Sequence, residues 1–283
     1  MIRLLLVRHK GVSELSKLIH AEDQSMLARR GALRIRATRQ RESLRFVDVG
    51  ARGDLHPIAR EYLKTLSILL IEPDWNAAEE LVRQNAPHPN VEVKCCAVGS
   101  SNSDATLFET LQPGCTSTLM FGGVLSPLIQ RNHPDLDRFS IVRSVGIRLQ
   151  PLSSICQTID ILKIDTQGTS QDVLMGLGPI RPLIIQLEAE TVEIYREEKT
   201  IFAVAEYLRT LGYMMLKNDI QLEPLPPRSN TEYRLSTQIS GDCYFVPDLS
   251  ILGRAIIDGR EKKFLLACCM FGFQDYADWI LSK

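Results

Sequence analysis

Acids that end apolar runs next to glycine turns are the residues of this chain whose types and spacing point to chemistry. In Phe46 Val47 Asp48 Val49 Gly50 Ala51 Arg52 Gly53 Asp54 an acid interrupts a β-branched run, and two glycines spaced G-x-x-G follow. The same logic recurs in Ile159 Asp160 Ile161 Leu162 Lys163 Ile164 Asp165, which runs into Thr166 Gln167 Gly168. Glycine lacks a Cβ, so the backbone there can turn sharply and let a ligand approach closely. The spacing departs from the G-x-G-x-x-G whose backbone amides hold a pyrophosphate at a helix N-terminus. An acid beside such a turn repels phosphate and suits an ammonium or sulfonium charge. Glu72 ends a further apolar run about twenty residues beyond the first loop, where a doubly wound fold places an acid to accept ribose hydroxyls. Glu188 and Glu190 stand at the exit of another, residues 183–187.

Other candidates carry less. His133 could act as a base, because histidine titrates near neutrality, although a histidine in a surface turn fits its proline-flanked setting better. Asp165, Glu188 and Glu190 could converge as oxygen ligands for a cation, but no H-x-x-x-H or cysteine cluster supports them, and no metal is expected. The opening LLLVRHKG is similar to the strand-then-RHG start of histidine phosphatases. Lys10 stands where glycine should follow His9, and no second histidine motif completes a phosphate site.

Lysine and arginine number 33 against 34 aspartates and glutamates, a formal net charge of −1. This balance gives no general reason to expect a nucleic-acid partner, and the basic run over residues 29–41 reads as a solvated helix face. The seven cysteines include two adjacent pairs and no C-x-x-C, as expected of reduced thiols in cytoplasm. Residues 2–7 are too short for a signal h-region or a membrane span.

The elements that must position the acids follow from periodicity. Strands are expected over residues 44–49, 67–71, 91–98, 159–165, 183–187, 213–216 and 242–246, with a shorter one at 105–109 and alternating apolar character at 141–149. Helices are expected over residues 56–66, 74–85 with Asp74 as N-cap, 170–177, 202–211 with Gly212 as C-cap, and 262–281 as one amphipathic terminal helix. One or two helices within residues 13–41 precede the sheet, residues 122–139 read as an irregular covering segment, and residues 219–240 are polar and proline-rich. Strands alternating with helices imply a mostly parallel α/β sheet whose last strand returns after a hairpin-like loop. The expected organisation is an N-terminal helical extension over 1–43, a main domain over 44–250 and a C-terminal helical segment packed on it over 251–283.

The motifs FVDVGARGD, LLIEPD, VKCCAVG, ILKIDTQG, IIQLEAE and AEYLRTLGY stand in order along the chain. Together they resemble the FkbM-type family of S-adenosylmethionine-dependent methyltransferases, over roughly residues 44–246. The resemblance implies a class I methyltransferase fold: α/β, Rossmann-like and doubly wound, with a mostly parallel sheet of seven strands. It implies O-methylation of a hydroxyl on a small molecule such as a sugar, an antibiotic or another secondary metabolite. Carried over by position, Asp48, Gly50 and Gly53 would surround the methionine part of S-adenosylmethionine, Glu72 would hold the ribose, and Ala97 and Val98 would line the adenine. Arg52 and Pro73 belong to the same expected cofactor site. Asp165 would lie near the transferable methyl and orient or deprotonate the acceptor, with Lys163, Glu188 and His133 as further catalytic candidates. The family often has asparagine at the position of Arg52, and GAE where this chain has Gly168 Thr169 Ser170, so a second acid is lost at Ser170. These departures favour the alternative of a catalytically inactive or regulatory methyltransferase-like module. A nucleotide-dependent oxidoreductase shares the strand-loop-acid pattern, but the missing third glycine argues against it.

Overall fold

The computed structural model describes residues 43–122, 136–220, 222–224, 236–238 and 240–283. The helices expected within residues 13–41, the basic run, the LLLVRHKG segment and His133 lie outside the described residues. In chain order the elements are β1 (Leu44–Val49), α1 (Pro57–Glu61), β2 (Leu66–Ile71), α2 (Trp75–Asn85), β3 (Val91–Lys94), β4 (Ala97–Val98) and β5 (Ser103–Thr110). They continue with β6 (Ile141–Gln150), α3 (Leu152–Ile155), β7 (Ile161–Ile164), α4 (Ser170–Met175), β8 (Ile184–Glu190), α5 (Ile201–Thr210) and β9 (Tyr213–Asn218). The last are β10 (Leu222–Pro224), β11 (Ser236–Gln238), β12 (Ser240–Pro247), α6 (Ile251–Ile257), α7 (Glu261–Phe271) and α8 (Gln274–Leu281).

Seven strands form the main sheet in the order β3-β2-β1-β7-β8-β12-β9. The first five run parallel, and β12 runs antiparallel to both neighbours, β8 and β9. This is the doubly wound, mostly parallel α/β sheet that the sequence implies. Strands covered on both faces cannot alternate with polar residues, and Phe46, Val47, Ile68, Leu69, Leu70, Ile161, Leu162, Ile184 and Ile185 are all fully buried. Each such large side chain stabilises the fold by about 1.5–3 kcal/mol relative to exposure. Ile256, Phe264, Ala267, Ala277 and Ile280 of the last three helices belong to the same continuous core. Among the described residues no helix is long and apolar enough to cross a membrane, and none of the seven cysteines is in a disulfide.

Several elements differ from expectation. The helix expected to reach residue 66 stops at Glu61: the Tyr62 N–H closes on Ile58 O, and Thr65 N–H turns back to Tyr62 O, leading straight into β2. The strand expected over 91–98 is two strands. After Lys94 the chain leaves the edge of the main sheet, and Ala97–Val98 pairs with Leu149–Gln150 in a second sheet of order β4-β6-β5. Antiparallel pairing of β5 with β6, from Ser103↔Leu149 to Thr110↔Ile141, builds that sheet from segments far apart in sequence. The single terminal helix is α7 and α8, broken at Gly272, whose left-handed φ of 77° ends the first. Asp74 does cap α2, its Oδ1 accepting from the Ala77 N–H at 3.0 Å. Gly212 does end α5, with φ of 88° and no room for a Cβ beside Gly253 N.

β1 has its successor β2 on one side and β7 on the other, so the strand order reverses between β1 and β7. A crevice opens at the carboxyl ends of parallel strands at such a point. Gly50 closes that junction: its φ is +81°, and a Cβ built on it would lie 1.9 Å from the carbonyl oxygen of Asp165. Gly53 has φ of +105° and nothing within 4 Å of a built Cβ. Gly53→Ala should therefore cost only the left-handed backbone penalty, about 1–2 kcal/mol. Gly50→Ala adds a backbone clash of the overpacking kind, for a total of about 2–5 kcal/mol. Urea unfolding of the two variants checks this; equal losses would mean that the β1–β7 junction is not sterically closed.

Candidate active site

Asp48 and Lys163 are register partners on β1 and β7, and Asp165 follows Lys163 by two positions, so all three side chains share one face. Lys163 Nζ stands 3.2 Å from Asp48 Oδ1 and 3.3 Å from Asp165 Oδ2. Burial alone would lower the lysine's pKa, but the two carboxylates hold it above the ordinary value. Burial raises the pKa of Asp48 in spite of Lys163. Burial also works against ionised Asp165, yet attraction to Lys163 and hydrogen bonds from Glu188 and Gln167 bring its pKa below the ordinary carboxylate value.

Above these groups lies a cleft of about 190 Å³. Its floor is the strand ends Val49–Gly50, Ile71–Glu72 and Asp165–Thr166; Ala97, Val98, Leu107, Ile147 and Leu149 form an apolar wall, and Pro113–Thr118 a polar one. Glu72 is 3% exposed and accepts from the Asp74 N–H at 3.0 Å. Arg52 reaches over it, 3.5 Å from Glu72 Oε1 and 2.9 Å from Asp74 Oδ2. Burial pushes the Glu72 carboxyl up, against the pull of the Asp74 N–H and Arg52. Thr166 Oγ1 is buried at the cleft without a hydrogen-bond partner among the described residues.

Of the residues singled out in the sequence, Gly50, Arg52, Glu72, Pro73, Ala97, Val98 and Asp165 line this cleft. Asp48 and Lys163 lie beneath its floor, joined to it through the ion pair with Asp165. Gly53 is on the adjoining loop and is not part of the lining, and Glu188 is set back from it. His133 lies outside the described residues.

The structure adds residues to which sequence reasoning assigned no role. Gln167 Nε2 donates to Asp165 Oδ1 at 3.1 Å and to Glu188 Oε2 at 3.0 Å. The Tyr195 hydroxyl donates to Gln167 Oε1 at 3.0 Å, and Ser117 Oγ donates to the Gln167 carbonyl at 2.6 Å. Glu198 accepts from the N–H groups of Ile194 and Tyr195 at 2.7 and 3.0 Å and hydrogen-bonds Glu190. Gln167 sits in the motif KIDTQG, so its neighbourhood was visible; the contribution of residues 190–198 had no periodic signal. Because Glu190 is paired with Glu198, it does not converge with Asp165 and Glu188. Among the described residues no cluster of three or more histidine, cysteine, aspartate or glutamate side chains is placed to hold a metal.

Crowded buried acids must keep protons. Burial and the charge of Asp165 push Glu188 up to about 8, and burial with the Glu198 hydrogen bond and charge pushes Glu190 up to about 10. A raised carboxyl binds its proton more tightly in the folded state, so its contribution is full below the unfolded value of 4.5 and is lost as pH rises through the folded value. Wild-type protein should therefore lose stability between pH 6 and pH 9 by about 1.4 kcal/mol per pH unit from Glu190. Glu190→Gln keeps a neutral hydrogen-bonding group and should flatten that part of the profile. Thermal melting across the range checks it; parallel profiles would show Glu190 already ionised.

The family model described as the methyltransferase FkbM domain matches residues 48–215. Similar solved structures include precorrin-6y C5,15-methyltransferase from Geobacter metallireducens, with 12% identity, 77% of this chain and 86% of that chain covered, and a TM-score of 0.35. Magnesium protoporphyrin IX methyltransferase from Synechocystis with bound SAM gives 9% identity, 80% and 79% coverage, and a TM-score of 0.38. An rRNA methylase from Streptococcus thermophilus gives 9% identity, 77% and 94% coverage, and a TM-score of 0.35. No curated protein matches the chain. The family match spans more than half of the chain, from Asp48 on β1 to Met215 on β9, and the chain belongs to the FkbM methyltransferase family.

Proposed function

We propose that this protein is an S-adenosylmethionine-dependent O-methyltransferase acting on a hydroxyl of a small molecule such as a sugar, an antibiotic or another secondary metabolite. Beyond family membership, one observation carries the reading. Asp165 at the floor of the cleft and Asp48 beneath it flank one lysine, Lys163, while Arg52 is drawn onto Glu72 and Asp74, an arrangement that favours a positively charged ligand and disfavours a pyrophosphate. The residues present fit the cofactor. Glu72 offers a buried acceptor for ribose hydroxyls, the wall of Ala97, Val98, Leu107, Ile147 and Leu149 offers an apolar face for adenine, and Gly114 leaves open space where a Cβ would stand.

S-adenosylmethionine supplies, when bound, a methyl group on a positively charged sulfur that leaves as a neutral thioether. The chain's own task is then to align the acceptor oxygen and take its proton. Alignment accounts for about 7–11 kcal/mol in well-oriented systems, and a positioned base for about 10²–10⁴ in rate. Asp165, held ionised by Lys163, Gln167 and Glu188, is a weak base and a good acceptor, so it orients the hydroxyl. Glu188, pushed up to about 8, already holds its own proton below that pH, so the proton released by the acceptor passes to Asp165, which the Glu188 hydrogen bond steadies. Lys163 fixes Asp165 from below, and Ser117 and Thr118 give the polar wall for a hydroxylated acceptor.

A catalytically inactive cofactor- or partner-binding module is the second reading. It is favoured by Arg52, which engages Glu72 and Asp74, and by Ser170, whose hydroxyl donates to the Glu188 carbonyl at 3.0 Å in place of a second acid.

Calorimetric titration with S-adenosylmethionine, S-adenosylhomocysteine and NAD in parallel separates the readings. Saturable binding of the first two and none of NAD is expected, followed by turnover in a screen of hydroxylated acceptors. Glu72→Ala should weaken S-adenosylhomocysteine binding about 10–100-fold, the loss of hydrogen bonds to a charged group. Unchanged affinity would remove Glu72 from the site, and binding of neither sulfur compound would overturn the reading.

A further inference from the structure

We propose that Gln167 is a positioning residue of this site, holding Asp165 and Glu188 as one acid pair and tying that pair to the polar wall of the cleft. A carboxamide has two N–H donors and one carbonyl acceptor, and here each has its own partner. Nε2 supplies Asp165 Oδ1 at 3.1 Å and Glu188 Oε2 at 3.0 Å, while Oε1 receives the Tyr195 hydroxyl at 3.0 Å. The opposite orientation of the amide would point its oxygen at two carboxyl groups. Lys163 uses the other oxygen of Asp165, Oδ2, so lysine and amide hold the carboxylate from both sides.

The backbone makes the same case. Gln167 has φ of +51°, a left-handed conformation costly for a residue with a Cβ, and Gly168 continues it at +89°. That turn aims the side chain back at the acids and exposes the Gln167 carbonyl to Ser117 Oγ at 2.6 Å. Ser117 also accepts from the Leu119 N–H at 3.0 Å, and so anchors the wall segment. Tyr195 is itself immobilised: it is 2% exposed, its N–H donates to Glu198, and its hydroxyl lies 3.2 Å from Cys115 O. A glutamate in place of Gln167 would add a third carboxyl to the pair, and a lysine would offer Tyr195 no acceptor.

The role of the acid pair in methyl transfer rests on the function proposed above; the coupling through Gln167 does not, and it is tested on the protein without cofactor. The charged groups facing Glu188 are Asp165 and Lys163 from the end of β7, Asp242 opposite it on β12 and Glu190 on its own strand. Carboxyl-carbon NMR titration of ¹³C-labelled protein, with the Glu188 signal assigned by its loss in Glu188→Gln, reads the pair directly. Gln167→Met keeps the volume and removes the donors, so the Glu188 midpoint, expected near 8, should rise by at least one pH unit, a tenfold weaker acid. Tyr195→Phe frees the amide to turn and should move the midpoint the same way by a smaller amount. Folded variants that both titrate like wild type would overturn the proposal, and if Gln167→Met does not fold, Tyr195→Phe decides alone. Calorimetry that finds no cofactor binding would leave this result untouched, so the two proposals fail separately.

Discussion

A lysine buried between two carboxylates is the interaction on which the rest of this site depends. Lys163 joins Asp48 on β1 to Asp165 at the end of β7, across the line where the strand order reverses. Such a group is costly to desolvate, and removing one partner leaves an uncompensated buried charge that typically costs about 3–5 kcal/mol. The triad therefore fixes the side-chain positions of the two central strands with respect to each other.

Around that triad the protein arranges its acids in two hydrogen-bonded pairs, on either side of the Gln167–Gly168 turn. Asp165 and Glu188 share the amide of Gln167; Glu190 hydrogen-bonds Glu198, which accepts from the Tyr195 N–H, and Tyr195 in turn donates to Gln167. Two acids in a low-dielectric setting cannot both ionise cheaply; burial and a neighbouring carboxyl raise Glu188 and Glu190, while Lys163 and hydrogen bonds lower Asp165. A site made this way can hold an ionised orienting group and a neutral proton-carrying group only a hydrogen bond apart.

The wall that makes the cleft concave comes from outside the main sheet. β4, β5 and β6 carry Ala97, Val98, Leu107, Ile147 and Leu149 to it, and the Pro113–Thr118 stretch adds the polar side. Gly50 lets β1 and β7 converge closely enough beneath it that no Cβ would fit against the Asp165 carbonyl. Gly50 and Arg52 of the first loop, Ile71–Pro73 at the end of β2 and Ala97–Val98 complete the lining.

The central strands, their acids and the glycine turns were legible in the amino-acid sequence, because burial on both faces demands continuous apolar runs and any acid at their ends stands out. Asp48, Glu72 and Asp165 were found on that ground, as were Asp74 and Gly212 at helix ends. Local pattern also misled. It ran residues 91–98 together as one strand, carried one helix to residue 66 and passed over the break at Gly272. It had no means of joining Ser103–Thr110 to Ile141–Gln150, or Tyr195 to Gln167, since such contacts follow from chain closure over long separations rather than from periodicity. The sequence by itself determined the kind of sheet and the identity of the acids at its edge. Only tertiary structure decided which acids pair, which one Lys163 holds below the ordinary carboxylate pKa and which amide links them, because charge state and hydrogen bonding depend on burial and on neighbours that are distant in the chain.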